Sequence, residues 1–233
     1  MQPERAYILR INTDLSREYA KCAAESCERV GLAWEYFEGY TEKDSILSKL
    51  PVKSENKIRV NGKGGACTAS HIHIWHKIAN SDQCSIVLEH DAIMLHKPNI
   101  EIPDNVLVAL GYKVTDPENY DHEKAGPTTS IQPRKHHGGA HAYALTPNTA
   151  KKLINNLEKN GLKSLVDNYY FLRQKSVRRT EDGVSLGIAD PICAVGWVRQ
   201  STIWAKSAVD NYRPILTSFT DNYHSDNDMG LKS

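Results

Sequence analysis

Glu89-His90-Asp91 closes an apolar run, Cys84-Ser85-Ile86-Val87-Leu88, so two acids flank one residue where a buried segment meets polar chain. Carboxylate oxygens suit a hard divalent cation. An ion held there would neutralise a diphosphate leaving group, as metal ions do in phosphoryl transfer. The same triplet also fits a solvated strand end, or a helix cap supplied by Asp91. A second cluster, His136-His137-Gly138-Gly139-Ala140-His141, joins imidazoles to glycines that let a ligand approach the backbone. Its plainer reading is a turn with exposed histidines. Gly62-x-Gly64-Gly65 precedes a helix and could offer backbone N–H groups to phosphate. It lacks the Lys-Ser/Thr of a P-loop and the spacing of a dinucleotide fingerprint.

The elements that must position these residues follow from the apolar pattern. Residues 6–11 read as a buried strand, followed by Asn12-Thr13-Asp14 and a helix over 16–30, capped by Ser16 and stopped by Gly31. Residues 32–37 form a second strand closed by Gly39. A helix over 66–79 opens at Gly64-Gly65, and 84–88 is a strand buried on both faces. Residues 106–110 are a strand, and 113–138 read as a long polar loop. Residues 142–145 are a strand, and Thr146-Pro147 starts a helix that runs to Lys159 and stops at Gly161. A helix over 164–174 and a strand over 192–198 complete the pattern. The alternation predicts one α/β domain with a mostly parallel central sheet over residues 1–217, and a polar tail over 218–233. Ligands of such sheets sit beyond the carboxyl ends of the strands, where Glu89-His90-Asp91 falls.

Composition narrows the partners. The 233 residues are 40% hydrophobic and 24% charged with net charge +1, which is ordinary for a globular domain and lacks the basic footprint of a nucleic-acid binder. The five cysteines are odd in number and include no Cys-x-x-Cys, so buried free thiols in a reducing compartment are expected and paired zinc-ligand spacing is absent. No signal-peptide core, no apolar run of membrane-spanning length and no Asn-x-Ser/Thr occurs, so a cytoplasmic protein is expected.

Four segments resemble glycosyltransferase family 25, the group of lipooligosaccharide and collagen galactosyltransferases. They are Tyr7-Ile8-Leu9-Arg10-Ile11-Asn12 with Gly31-Leu32 and Trp34-Glu35-Tyr36-Phe37; Gly65-Ala66-Cys67-Thr68-Ala69-Ser70-His71 through Trp75, similar to a Gly-Cys-x-x-Ser-His signature; Ile86-Val87-Leu88-Glu89-His90-Asp91-Ala92, similar to Leu-Glu-Asp-Asp-Ala; and Gly139-Ala140-His141-Ala142-Tyr143-Ala144-Leu145 with Val166-Asp167. The resemblance spans roughly residues 6–205. It implies a GT-A-like domain, a UDP-sugar donor, Mn2+ or Mg2+ at Glu89 and Asp91, and an inverting transfer of galactose or glucose to a glycan or lipid-linked saccharide in lipopolysaccharide biosynthesis. It further implies Asp167 as general base, donor contacts from Asn12, Gly39, Ser70, His71 and His90, and a sugar pocket at His137, Gly138, Gly139 and Ala140. His137 or His141 stand as candidates for a third metal ligand. His90 replaces the family's middle acid, and an imidazole there shifts preference towards softer ions.

Two other readings stay beside this one. A chain that keeps the fold but has lost turnover would be a nucleotide-sugar-binding module. His71-Ile72-His73-Ile74-Trp75-His76 resembles the His-x-His-x-Asp-His zinc motif of metallo-β-lactamase-like hydrolases, with Trp75 at the acid position. A helix sets His73 and His76 on one face and turns His71 away from them.

Overall fold

Alternation along the strands sets the layers. In β1, Pro3–Arg10, Ala6 and Ile8 join one core and Tyr7 and Leu9 the other. In β3, Cys84–Glu89, Ile86 and Leu88 join the first and Val87 the second. In β8, Ala142–Leu145, Ala142 and Ala144 oppose Tyr143 and Leu145 in the same way. The first face is covered by α1, Asp14–Arg29, through Ala20, Ala23, Ala24 and Cys27. The second is covered by α2, Lys63–Ala79, through Ile74, Trp75 and Ile78, and by α3, Pro147–Asn160, through Leu153, Ile154 and Leu157. The result is a helix–sheet–helix sandwich. This computed structural model describes residues 1–45, 62–113, 126–134, 139–162, 165–166 and 183–196.

The main sheet has the order β2-β1-β3-β8-β5-β9-β7, with β2 at Ala33–Glu38, β5 at Val106–Ala109, β9 at Ser185–Asp190 and β7 at Ser130–Arg134. Five of its seven strands share one direction, but only three of its six pairings are parallel, so the sheet is mixed where a mostly parallel one was expected. The reason is β8, which starts beside the carboxyl end of β3 and runs back along it, pairing Ala142 with Leu88 and Leu145 with Ser85. Residues 113–138 are not loop throughout, because β7 lies inside them. Pro133, which cannot donate to a ladder, sits on this edge strand. Strand β9 was not foreseen, and Gly187 at its centre is why. A Cβ there would lie 2.5 Å from Ile131 Cγ2, so close strand approach selected a residue that reads as a break. A second sheet, β4-β10-β6, has strands of three residues each, Ala92–Met94, Ala194–Gly196 and Gly111–Lys113; β10 lies within the strand expected over 192–198, whereas β4 and β6 were missed.

The helix ends follow local chemistry. Thr13, not Ser16, caps α1 by accepting from Ser16 N at 3.2 Å. Ser16 instead accepts from Ile11 N at 3.0 Å and ties the helix to the end of β1. Helix α2 starts at Lys63, a turn earlier than the glycine pair suggested. Helix α3 is capped by Thr146 with Pro147 in its first turn, as expected. The expected helix over 164–174 lies outside the described residues except at 165–166, and the 218–233 tail lies wholly outside.

The five cysteines are unpaired: Cys27, Cys84 and Cys193 are buried, and Cys22 and Cys67 half-buried. Burial pushes the thiols of Cys27, Cys84 and Cys193 from 9.0 to about 12. These raised values make the folded state hold protons that the unfolded chain releases above pH 9. Stability is therefore expected to be unaffected by these thiols below pH 9 and to fall as pH rises from 9 towards about 12. Urea midpoints across that range check it, and the fall should shrink in Cys27→Ala, with the cavity cost seen equally at neutral pH.

Candidate functional site

Strands β1, β2 and β3 are parallel and end along one edge, and β8 begins there, with Glu89 N donating to His141 O at 2.8 Å. The edge therefore gathers Asn12, Gly39, Glu89-His90-Asp91 and Gly139-Ala140-His141. Asn12 is exposed just past β1. Arg10, two residues earlier, is held by Glu38 Oε1 at 2.6 Å and lies 3.7 Å over the Tyr36 ring.

Gly39 and Ser70 act together. A Cβ at Gly39 would lie 2.6 Å from Leu9 Cδ1 and 3.0 Å from Ser70 Oγ, so a larger residue would have to displace these side chains. Ser70 Oγ accepts from Tyr40 N at 2.8 Å and donates to Ala66 O at 2.8 Å. The segment after β2 is thereby pinned to α2. Ser70→Ala leaves Tyr40 N without this acceptor and is expected to lower stability by about 1–2 kcal/mol, read as a lower urea midpoint at unchanged slope.

The centre of the site is built by two periodicities. Cys67, His71 and Trp75 recur every four residues and share one face of α2. Glu89 has the parity of Val87, so it faces the α2 and α3 layer. His71 is fully buried; its Nε2 lies 3.2 Å from Glu89 Oε1 and its Nδ1 2.9 Å from Tyr143 OH. Trp75 Nε1 donates to the same Tyr143 oxygen at 2.8 Å, and Cys67 Sγ donates to Glu89 Oε1 at 3.8 Å. The ligand-capable atoms of Cys67, His71 and Glu89 all lie within 4.8 Å of one another.

His90 takes the opposite parity. Its ring stacks on Tyr19 of α1, centroids 6.0 Å apart and planes 6° from parallel. Asp91 is half-buried, and its Oδ1 is a buried oxygen with no hydrogen-bond partner among the described residues. Burying an oxygen acceptor without a donor is unfavourable, and an oxygen of this kind is one that could serve a hard cation as a ligand.

The other expected residues are divided between the two sides of the described chain. Gly139 adopts φ 85°, and Ala140 and His141 are buried. The His141 ring packs under Gly196, where a Cβ would lie 2.8 Å from its Cγ. Asp167, His137 and Gly138 lie outside the described residues. Val166, just before Asp167, donates from its N–H to Thr68 Oγ1 at 3.1 Å, next to Cys67 on α2. His73 is exposed, hydrogen-bonds and stacks with Tyr40, and meets Phe37 edge-on. His76 is exposed too, so the structure separates His71 from His73 and His76. The polar roles of Trp75, Tyr143 and Cys67 were missed. The four-residue spacing on α2 was the available signal for two of them.

The fold and this edge define an α/β protein whose candidate ligand-binding groups collect at the carboxyl ends of its strands. Residues 7–102 match the model of glycosyltransferase family 25 (LPS biosynthesis protein), and the likeness read from the sequence is shown over that part. The matched stretch runs from β1 through β4 and carries Cys67, Ser70, His71, Glu89, His90 and Asp91; the segments beginning at Gly139 lie beyond it. The family indicates a glycosyltransferase with a sugar donor and an acceptor. No curated protein matches the chain. No helix among the described residues is long and apolar enough to cross a membrane.

Proposed function

We propose that the chain is a GT-A-like glycosyltransferase that moves a hexose, galactose or glucose, from a UDP-sugar to a hydroxyl of a glycan or lipid-linked saccharide, with inversion. The observation that carries this reading is the pair Glu89 and Asp91 at the end of β3, one tied into α2 and the other holding a buried oxygen with no donor among the described residues. The sheet supports it, since five strands of common direction present their carboxyl ends to one edge.

Glu89 and Asp91 are the residues that would hold Mn2+ or Mg2+, whose chemistry is to offset the charge developing on the diphosphate leaving group. The chain's own part is positional. Trp75 and Tyr143 fix the His71 ring, and His71 fixes one oxygen of Glu89. Gly39 and Ser70 hold the segment after β2 against α2, beside Asn12, where the donor's nucleoside is assigned. Gly139 and Ala140, following His137 and Gly138, border the sugar. Asp167 is assigned the proton of the acceptor hydroxyl as that oxygen attacks the anomeric carbon and the UDP oxygen leaves.

Calorimetry of UDP with the whole chain tests this reading, with and without manganese, followed by donor turnover. Manganese-linked UDP binding and transfer are expected, and Asp167→Asn should keep binding while losing transfer. Binding without transfer, unaltered by Asp167→Asn, would make the chain a nucleotide-sugar-binding module. Absence of manganese-linked binding would remove the proposal altogether.

A further inference from the structure

We infer that Cys67, His71 and Glu89 form a second, softer cation site that takes zinc in competition with the proposed sugar-transfer ion. The argument is geometric. A tetrahedral zinc with bonds of about 2.3 Å to sulfur and about 2.0–2.1 Å to nitrogen and oxygen sets sulfur–oxygen and nitrogen–oxygen edges of about 3.5 and 3.3 Å. The structure holds Cys67 Sγ 3.8 Å and His71 Nε2 3.2 Å from Glu89 Oε1. Two edges of the tetrahedron are thus matched to within a few tenths of an ångström, and the third pair, Cys67 and His71, brings its ligand atoms within 4.8 Å.

The surroundings suit an ion as well. His71 Nδ1 is already engaged by the Tyr143 hydroxyl, which Trp75 orients in turn. That is the outer partner a metal-bound imidazole uses to fix its ring. His71 is fully buried, whereas Cys67 is half-buried and the Glu89 side chain is 23% exposed, so an ion reaches the three ligands from that side. Thiolate, imidazole and carboxylate are a borderline-soft set that favours zinc over magnesium or manganese. On binding, the Cys67 thiol gives its proton to solvent, and thiolate plus carboxylate balance the two positive charges. Cysteine spacing alone could not show this, because the other two ligands are a histidine one helical turn on and a glutamate from another element.

Zinc binding stands independently of the proposed transferase, but the competition rests on it, because Glu89 belongs to both donor sets. Cobalt(II), a spectroscopic stand-in for zinc, is titrated into the reduced full-length chain with no nucleotide present. One equivalent should give a thiolate-to-cobalt charge-transfer band that zinc displaces. Cys67→Ser should abolish the band and weaken zinc binding about a hundredfold or more, exceeding the effect of losing an outer partner. Cys22→Ser, which alters the other half-buried thiol, should leave the band intact. Against a variant that fails to fold, wild-type alkylation serves as the second measurement: zinc, but not manganese, should protect Cys67 from iodoacetamide. No thiolate band, a band lost only in Cys22→Ser, or no protection of Cys67 would overturn the inference. If the band appears but manganese-dependent UDP binding does not, the zinc site stands and the transferase reading fails.

Discussion

Asp91→Asn is expected to reduce manganese-dependent sugar transfer by about a hundredfold or more while leaving the metal-free protein at least as stable as the parent. The two effects have one cause. Asp91 Oδ1 is buried with no hydrogen-bond partner among the described residues, so in the absence of an ion the carboxylate is an unfavourable group. Asparagine keeps the shape and removes the charge, which relieves the ion-free state. Under the proposed function, the same change takes away one of the two anionic ligands assigned to a cation that would neutralise a leaving diphosphate. Losing one preorganised electrostatic contact of this kind typically lowers turnover by about 10²–10³. Thermal unfolding without metal and kcat/KM at saturating manganese read the two halves separately. Unchanged activity would move the ion away from the end of β3. A marked loss of ion-free stability would mean that Asp91 serves the fold through a donor beyond the described residues.

Glu89 should respond differently from Asp91, which separates an acid tied to α2 from one with no partner at Oδ1 among the described residues. Its Oε1 is tied to His71 Nε2 and approached by Cys67 Sγ. Glu89→Gln would place an amide group against these neighbours, so its loss of activity should come with a lower melting temperature.

How much of this was legible in the sequence depends on the range of the signal. Strand β3 and helix α3 could be placed closely because an apolar run ending in acids, and a Thr-Pro start with a glycine stop, are local chemistry. The metal-candidate pair was visible for the same reason. The direction of β8 was not, because nothing within Ala142–Leu145 says which neighbour it pairs with. Strands β4 and β6, three residues each, are too short to show a period, and Gly187 disguises β9 as a turn. In the site, His71 was singled out, but its partners could not be. Glu89 is 18 residues and Tyr143 72 residues away, and only pairing of β3 with β8 brings Val87 beside Tyr143. His90 carries the opposite lesson. A one-residue reading put it with its acidic neighbours, whereas strand parity sends its ring to Tyr19 on the other face of the sheet.

The largest structural effect is expected at Gly111, which opens β6 opposite Ala194. A Cβ at Gly111 would sit 1.6 Å from Ala194 O and 2.7 Å from its carbonyl carbon. Those atoms are backbone, so no side-chain rotation relieves the overlap and the two strands must part. Overpacking that flexible neighbours absorb costs about 1–3 kcal/mol, and a clash with a fixed strand belongs at or above the top of that range. Gly111→Ala should therefore destabilise the protein by about 3 kcal/mol or more. Gly126→Ala is the control: among the described residues its Cβ would meet only the Pro191 side chain, at 3.4 Å, and the change should stay within about 1 kcal/mol. Urea midpoints of the two variants make the comparison. The damage should also reach the functional edge. Ala194 and Gly196 pair with Met94 and Ala92 of β4, which begins directly after Asp91, and Gly196 covers the His141 ring. A second sheet displaced at Gly111 thus loosens the turn that holds Asp91, so manganese binding should weaken in the fraction of Gly111→Ala that remains folded. Unchanged manganese affinity in that folded fraction would show instead that the end of β3 keeps its shape without the second sheet.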